Sequence, residues 1–147
     1  MHPECPDLAR FVRGEIDAAD FPHREHVRMA FEMLRRHDFA KTVWLFSRTL
    51  RAMAARAGKP QAFNQTVTIA FLSLIAERME CGGTEDFAAF ERDHAGVFEK
   101  TALARWYPPE RLATETTRRI FVLPPPATAS VGVAPGEPPG ARAPANR

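Results

Sequence analysis

The hydrophobic residues of this chain recur at spacings of three and four, which is the period of an amphipathic helix. A short opening helix is predicted over residues 7–16 and a second helix over 22–37, after the helix-start pattern Asp20-Phe21-Pro22. The stripe of the second helix that should face the core contains His23, His26, Val27, Ala30, Phe31, Met33 and Leu34.

Two longer helices follow in the pattern. A third helix is predicted over residues 39–57, with Gly58 and Pro60 as its stop signal. A fourth, over 61–79, is apolar nearly all round between Val67 and Ala76. A helix without a polar face belongs in the middle of a domain, so the fourth helix is expected to be central.

The rest of the chain divides into short helices and a tail. Residues 84–106 predict two short helices or one broken helix, and residues 110–120 predict a last one. The pattern therefore indicates an all-α fold, a compact single-domain bundle of five to six helices over residues 1–123. Residues 124–147 are rich in proline, alanine and glycine and contain no aromatic residue, which predicts a disordered tail.

Composition narrows the class of protein. The chain has 147 residues, 45% of them hydrophobic and 26% charged, which is typical of one soluble domain with its own core. A formal net charge of +2 gives no reason to expect a nucleic-acid partner. Two distant cysteines, no signal-peptide pattern and no apolar run near the length of a membrane span favour a cytoplasmic protein without a membrane partner. The oligomeric state stays open.

The candidate chemistry starts with His23 and His26, which lie three residues apart and therefore on one side of the second helix. Neutral imidazoles act as general bases and as metal ligands, and the positive end of the helix dipole favours the neutral form. Two histidines are only part of a metal site, because a zinc-type site needs at least a third ligand. The alternative is that the pair has a capping, surface or hydrogen-bonded structural role.

The fourth helix offers a second set of polar residues, Asn64, Gln65 and Thr68, at spacings that place them on a shared side. Buried amides and hydroxyls must be paired, so they either orient a polar ligand, bind the histidines or bind one another. Arg28 has two interpretations: a clamp for a substrate carboxylate, or a surface ion pair with Glu25 three residues earlier.

These residues belong to a set of spaced motifs. They are Phe21-Pro22-His23-Arg24-Glu25-His26, Gly58-Lys59-Pro60, Phe63-Asn64-Gln65-Thr66-Val67-Thr68, Ile75-Ala76-Glu77-Arg78-Met79, Trp106-Tyr107-Pro108-Pro109-Glu110-Arg111-Leu112 and Arg118-Arg119-Ile120-Phe121-Val122. As a set they resemble a family of small uncharacterised bacterial all-helical proteins with an F-x-H-R-x-H helix and a Y-H-E-T-I-T helix. The resemblance implies a metal or acid–base site made from three histidines and a glutamate on two adjoining helices. Here Asn64-Gln65 stands in place of the family's His-Glu, which removes titratable and strongly ligating groups.

The functional hypothesis is a small-molecule enzyme of bacterial metabolism with a pocket between the second and fourth helices. His23 and His26 would do acid–base work or hold a divalent metal, the polar set would orient the substrate, and Arg28 would meet a carboxylate. The alternative is a non-catalytic member of the same family that binds a ligand or a protein. A cavity lined by both histidines and the two amides favours the enzyme, and a closed cluster in which the amides satisfy the histidines favours the structural role.

Overall fold

A computed structural model describes residues 4–127, and within that range the chain is all-helical with no β-strand. The helices are α1 Pro6–Val12, α2 His23–Arg36, α3 Phe39–Arg56, α4 Gln65–Glu80, α5 Phe87–Asp93, α6 Pro109–Leu112 and α7 Glu115–Arg119. Short 3-10 turns occupy Ala18–Asp20, Pro60–Ala62 and Ala95–Phe98. The predicted all-α class is confirmed. No helix within the described range has the length and apolarity needed to cross a bilayer. Most of the predicted tail, residues 128–147, lies outside the described residues.

The α2 helix is buried over a wide arc because it contacts α1, α3, α4 and α5. Val27, Ala30, Phe31 and Met33 are buried, as the apolar stripe predicts. Met29 is fully buried as well, although the stripe omits it. The single predicted stripe is too narrow because it assumes one packed face, and α2 packs on several.

The α3 helix is bounded by the signals in its sequence. The Asp38 side chain accepts a hydrogen bond of 2.8 Å from the backbone N–H of Lys41, which satisfies one of the free amides of the first turn. At the other end Gly58 has a φ of 71°, and the Lys59 N–H returns to the Ala54 carbonyl at 2.9 Å. This left-handed glycine ends the helix and turns the chain toward α4.

The α4 helix contacts α2, α3 and α7, which agrees with the central position expected for it. It begins at Gln65, four residues later than predicted, because Pro60–Ala62 forms a separate 3-10 turn. Asn64 is its N-cap: the side-chain Oδ1 accepts from the Val67 N–H at 3.0 Å. Asn64 is therefore the residue before the helix and not a position on one of its faces.

A buried hydroxyl on α4 binds the C-terminal part of the described chain. The Thr66 hydroxyl donates to the Ile120 carbonyl at 2.7 Å and accepts from the Val122 N–H at 3.0 Å. The single helix predicted over residues 110–120 is instead two helices, α6 and α7. Thr114 caps α7 by accepting from the Thr117 N–H at 3.2 Å, which starts a new helix in the middle of the predicted one.

Candidate functional site

A cavity of about 300 Å³ lies between α2, α3 and α4 and reaches the exposed Ala62 in the turn before α4. This volume is at the lower end of the range for small-molecule sites. Most of its wall is apolar, including Val27, Ala30, Phe46, Leu50, Phe71 and Leu72. The polar residues in the wall are His23, His26, Asn64 and Thr68. The structure therefore brings four of the six predicted site residues to one cavity.

His26 lies one turn into α2, with its ring 4.3 Å from the ring of Phe21. The pKa of His26 is lowered to about 4, mainly by burial and also by the nearby His23, while a hydrogen bond with the Phe21 backbone acts in the opposite direction. His26 is therefore a neutral imidazole at neutral pH. A neutral ring can accept or donate a hydrogen bond in an apolar cavity without the cost of a buried charge.

His23 is the first residue of α2, and contacts on two sides orient its ring. Its Nε2 lies 3.2 Å from the carbonyl oxygen of Val97, which belongs to the turn Ala95–Phe98. The ring of Phe71 meets it edge-on, with the centroids 5.0 Å apart. A histidine held by a backbone carbonyl through one nitrogen has a fixed tautomer and orientation. Many catalytic histidines are oriented in this way.

Asn64 and Thr68 line the cavity, but their hydrogen-bond donors are already used by the protein. The Asn64 amide donates to the Leu112 carbonyl at 2.8 Å and to the Thr117 hydroxyl at 3.5 Å, while its oxygen caps α4. The Thr68 hydroxyl donates to the Asn64 carbonyl at 2.8 Å. In the hydrogen bonds described over residues 4–127, neither side chain binds a histidine, so the closed histidine–amide cluster considered from the sequence is not what is present.

Gln65 lies outside the cavity, contrary to the expectation that it shares a side with Asn64 and Thr68. Its amide donates to the Ser47 hydroxyl at 2.9 Å and its oxygen accepts from Arg51 at 3.1 Å, so it connects α4 to α3. Gln65 and Thr68 lie three residues apart in α4 and so differ by about 60° around its axis. At that offset Gln65 faces α3 while Thr68 lines the cavity.

Arg28 also lies outside the cavity. One of its terminal nitrogens is 2.7 Å from Asp7 Oδ2 and 2.7 Å from Glu25 Oε2. The ion pair with Glu25 was one of the two interpretations from the sequence. Asp7 was not foreseen as a partner, because it lies on α1 and only tertiary packing brings it to α2. A substrate carboxylate would have to displace two carboxylates from this guanidinium.

The histidine pair supplies two ligands toward a metal site and the surroundings add none of the usual kinds. No group of three or more histidine, cysteine, aspartate or glutamate side chains within residues 4–127 could hold a metal. A structural or catalytic zinc-type site uses three or four such ligands. The donor set around His23 and His26 therefore does not fit a resident divalent metal.

Sequence reasoning did not find two contributors to the site. The Val97 carbonyl, which orients His23, is a backbone atom and has no sequence signal. The α3 wall, formed by Phe46 and Leu50, is visible in the sequence only as part of an ordinary apolar stripe. Comparison with known proteins gives no match for this chain among family models, curated proteins or solved structures. The family resemblance stays a prediction.

Proposed function

We propose that this protein is a small-molecule enzyme of the bacterial cytoplasm, whose substrate occupies the cavity between α2, α3 and α4. One observation carries the proposal: two histidines from the same turn of α2 line a largely apolar cavity of about 300 Å³. An apolar wall with a few convergent polar groups is the usual composition of a substrate site. The reaction class we propose is proton transfer, since imidazole is the titratable group in this wall.

His23 is the residue we assign as the base. Its Nε2 donates to the Val97 carbonyl, which leaves Nδ1 with a lone pair that can take a proton. When Nδ1 takes the proton, a bond from that hydrogen to the substrate breaks and a bond to nitrogen forms, giving an imidazolium and a substrate anion. The Val97 carbonyl, which accepts from Nε2–H, stabilises that imidazolium.

His26 has a different role in the proposal. A pKa of about 4 makes it a weak base at neutral pH, because general bases work best when their pKa lies near the working pH. It is instead a neutral hydrogen-bonding group that positions the substrate. General acid–base catalysis by one placed histidine contributes about 10²–10⁴-fold in rate, so His23 alone is sufficient for a modest enzyme.

A second candidate function is non-catalytic binding of a ligand in the same cavity. It is favoured because Asn64 already donates to the Leu112 carbonyl and Thr68 already donates to the Asn64 carbonyl. A substrate site with an oxyanion to stabilise would need free donors, whereas a binding site for an apolar molecule would not. The two functions share the ligand and differ in whether it is converted.

The test begins with a thermal-shift screen of small apolar compounds at pH 7. In Ala54→Phe a large side chain enters the cavity wall, whereas Ala55→Phe changes an exposed neighbour on the same helix that does not line the cavity. We expect hits that stabilise the wild type and Ala55→Phe but not Ala54→Phe. Hits that also stabilise Ala54→Phe equally would place the ligand elsewhere and contradict the proposal.

Conversion of the hits then separates the two functions. Each hit is incubated with the wild type and with His23→Gln and followed by NMR, with exchange of substrate protons for deuterium as the most sensitive readout. The enzyme proposal predicts exchange or conversion that falls at least about 100-fold in His23→Gln. Binding without exchange or conversion would leave the non-catalytic function, and conversion unchanged in His23→Gln would remove His23 as the base.

A further inference from the structure

The hydrogen on His23 can be placed from its partner. A carbonyl oxygen only accepts hydrogen bonds, so the 3.2 Å contact between Nε2 and the Val97 oxygen requires the hydrogen to be on Nε2. In a neutral imidazole the other nitrogen then has no hydrogen and can only accept. Nδ1 of His23 is therefore an acceptor.

His26 adds a second acceptor whichever of its nitrogens carries the hydrogen. Burial keeps its ring neutral, and a neutral imidazole has one nitrogen with a hydrogen and one that only accepts. Both residues line the cavity, and none of their four ring nitrogens is a fully buried atom without a partner within residues 4–127.

The other polar side chains of the cavity wall, Asn64 and Thr68, also offer acceptors. The amide of Asn64 donates to Leu112 and Thr117, and the hydroxyl of Thr68 donates to the Asn64 carbonyl, so what these two residues can still offer is further accepting capacity. No lysine or arginine is among the residues that line the cavity. The cavity thus presents accepting atoms and apolar surface, and the residues that line it include no cation for a carboxylate or phosphate.

The size of the ligand follows from the cavity volume. A volume of about 300 Å³ corresponds to about ten water molecules at ~30 Å³ each. A ligand of about ten non-hydrogen atoms would therefore fill it. This is the size of a compound with one or two small rings.

We propose that the ligand of this site is an uncharged hydrogen-bond donor: a hydroxyl or N–H group on an apolar frame of about ten non-hydrogen atoms. The hydroxyl or N–H meets the acceptor nitrogens of His23 and His26, and the frame fills the apolar part of the cavity. The inference rests on the proposed function only in using the same cavity, since it holds whether or not the ligand is converted. A carboxylate would face lone pairs with no cation to balance its charge, so it is rejected.

Three bicyclic aromatic probes test this directly. 2-Naphthol carries a donor, 2-methoxynaphthalene replaces it by an acceptor of similar shape, and naphthalene has neither. Titration calorimetry at pH 7 is run on the wild type, on the cavity-filling Ala54→Phe and on His23→Phe/His26→Phe, which keeps aromatic rings but removes the acceptors. We expect 2-naphthol to bind the wild type about tenfold more tightly than either other probe. The reason is that 2-naphthol alone donates a buried hydrogen bond, and one such bond contributes about tenfold in affinity.

The double variant should bind all three probes with similar affinity, and Ala54→Phe should bind none. Far-UV circular dichroism confirms that each variant is folded, and His23→Phe and His26→Phe singly replace the double variant if that one does not fold. Equal binding of the three probes to the wild type would overturn the donor inference while leaving the cavity as a ligand site. Binding of no probe to the wild type would overturn the cavity itself, and with it both proposals.

Discussion

Acidification should destabilise this protein through His26, whose neutral form is the one compatible with the folded state. The pKa of His26 is about 4 in the folded protein and 6.5 as the ordinary value, because burial and the neighbouring His23 oppose the charge. Well above pH 6.5 the residue is unprotonated in both the folded and the unfolded state and adds no pH dependence. As the pH falls below 6.5, the unfolded chain takes up a proton that the folded chain refuses, so stability is lost until the pH approaches 4.

The magnitude follows from the size of that shift. One pKa unit corresponds to about 1.4 kcal/mol, so the complete transition costs about 3 kcal/mol. At about pH 5 roughly 2 kcal/mol of it is already lost. A small domain has a free energy of unfolding of about 5–15 kcal/mol, so this loss is easily measured.

The assay is urea denaturation followed by far-UV circular dichroism at pH 7.5 and pH 5, on the wild type, His26→Gln and the control His37→Gln. His37 is a partly exposed histidine just after α2 and does not line the cavity. The wild type and His37→Gln should lose about 2 kcal/mol more than His26→Gln over this interval. Carboxylates that titrate in the same range act equally in all three proteins. If His26→Gln loses as much stability as the wild type, the reasoning about His26 is refuted.

Three further predictions concern hydrogen bonds around the site and can be checked with the same denaturation assay. Asn64→Ala removes the cap of α4 and the donor to Leu112, and should lower the free energy of unfolding by about 2 kcal/mol. Asn64→Asp keeps the capping oxygen and should lower it less. Equal losses in the two variants would show that the cap contributes little. Thr66→Val keeps the shape of the side chain but leaves the Ile120 carbonyl and the Val122 N–H without their partner. It should lower the free energy of unfolding by about 2 kcal/mol and speed proteolysis after α7. Unchanged proteolysis would show that the Thr66 hydroxyl does not hold this segment. Arg28→Met should lower the free energy of unfolding by about 1 kcal/mol or less, because the side chain is partly exposed. It should leave binding of the naphthalene probes unchanged. Weakened binding would show that Arg28 belongs to the ligand site.

The sequence by itself determined the helical class and most of the helices, because those depend on local information. The period of apolar residues and the stop at Gly58 both act within a few residues of the chain, and the structure has them where they were expected. The same local rule placed His23 and His26 on one side of α2, and both line the cavity. Adjacent positions on a helix are a property of the helix itself.

Local information misplaced the start of α4. That helix was predicted from residue 61, whereas the 3-10 turn Pro60–Ala62 and the cap at Asn64 come before it. The spacing of Asn64, Gln65 and Thr68 also predicted a shared side, yet Gln65 contacts α3 instead of the cavity. Positions three apart on a helix differ by about 60° around its axis, which is enough for Gln65 and Thr68 to meet different neighbours.

Tertiary structure alone decided what the histidines can do. Asp7 reaches Arg28 across 21 positions of the chain, and the Val97 carbonyl reaches His23 across 74. Neither contact could be predicted from the spacing of nearby residues. The contact with Asp7 occupies Arg28, and the contact with the Val97 carbonyl fixes which nitrogen of His23 can accept a proton. The burial that keeps His26 neutral likewise comes from packing. Local sequence selects the residues of the site, and long-range packing sets their protonation and partners, because both depend on neighbours that only the folded chain provides.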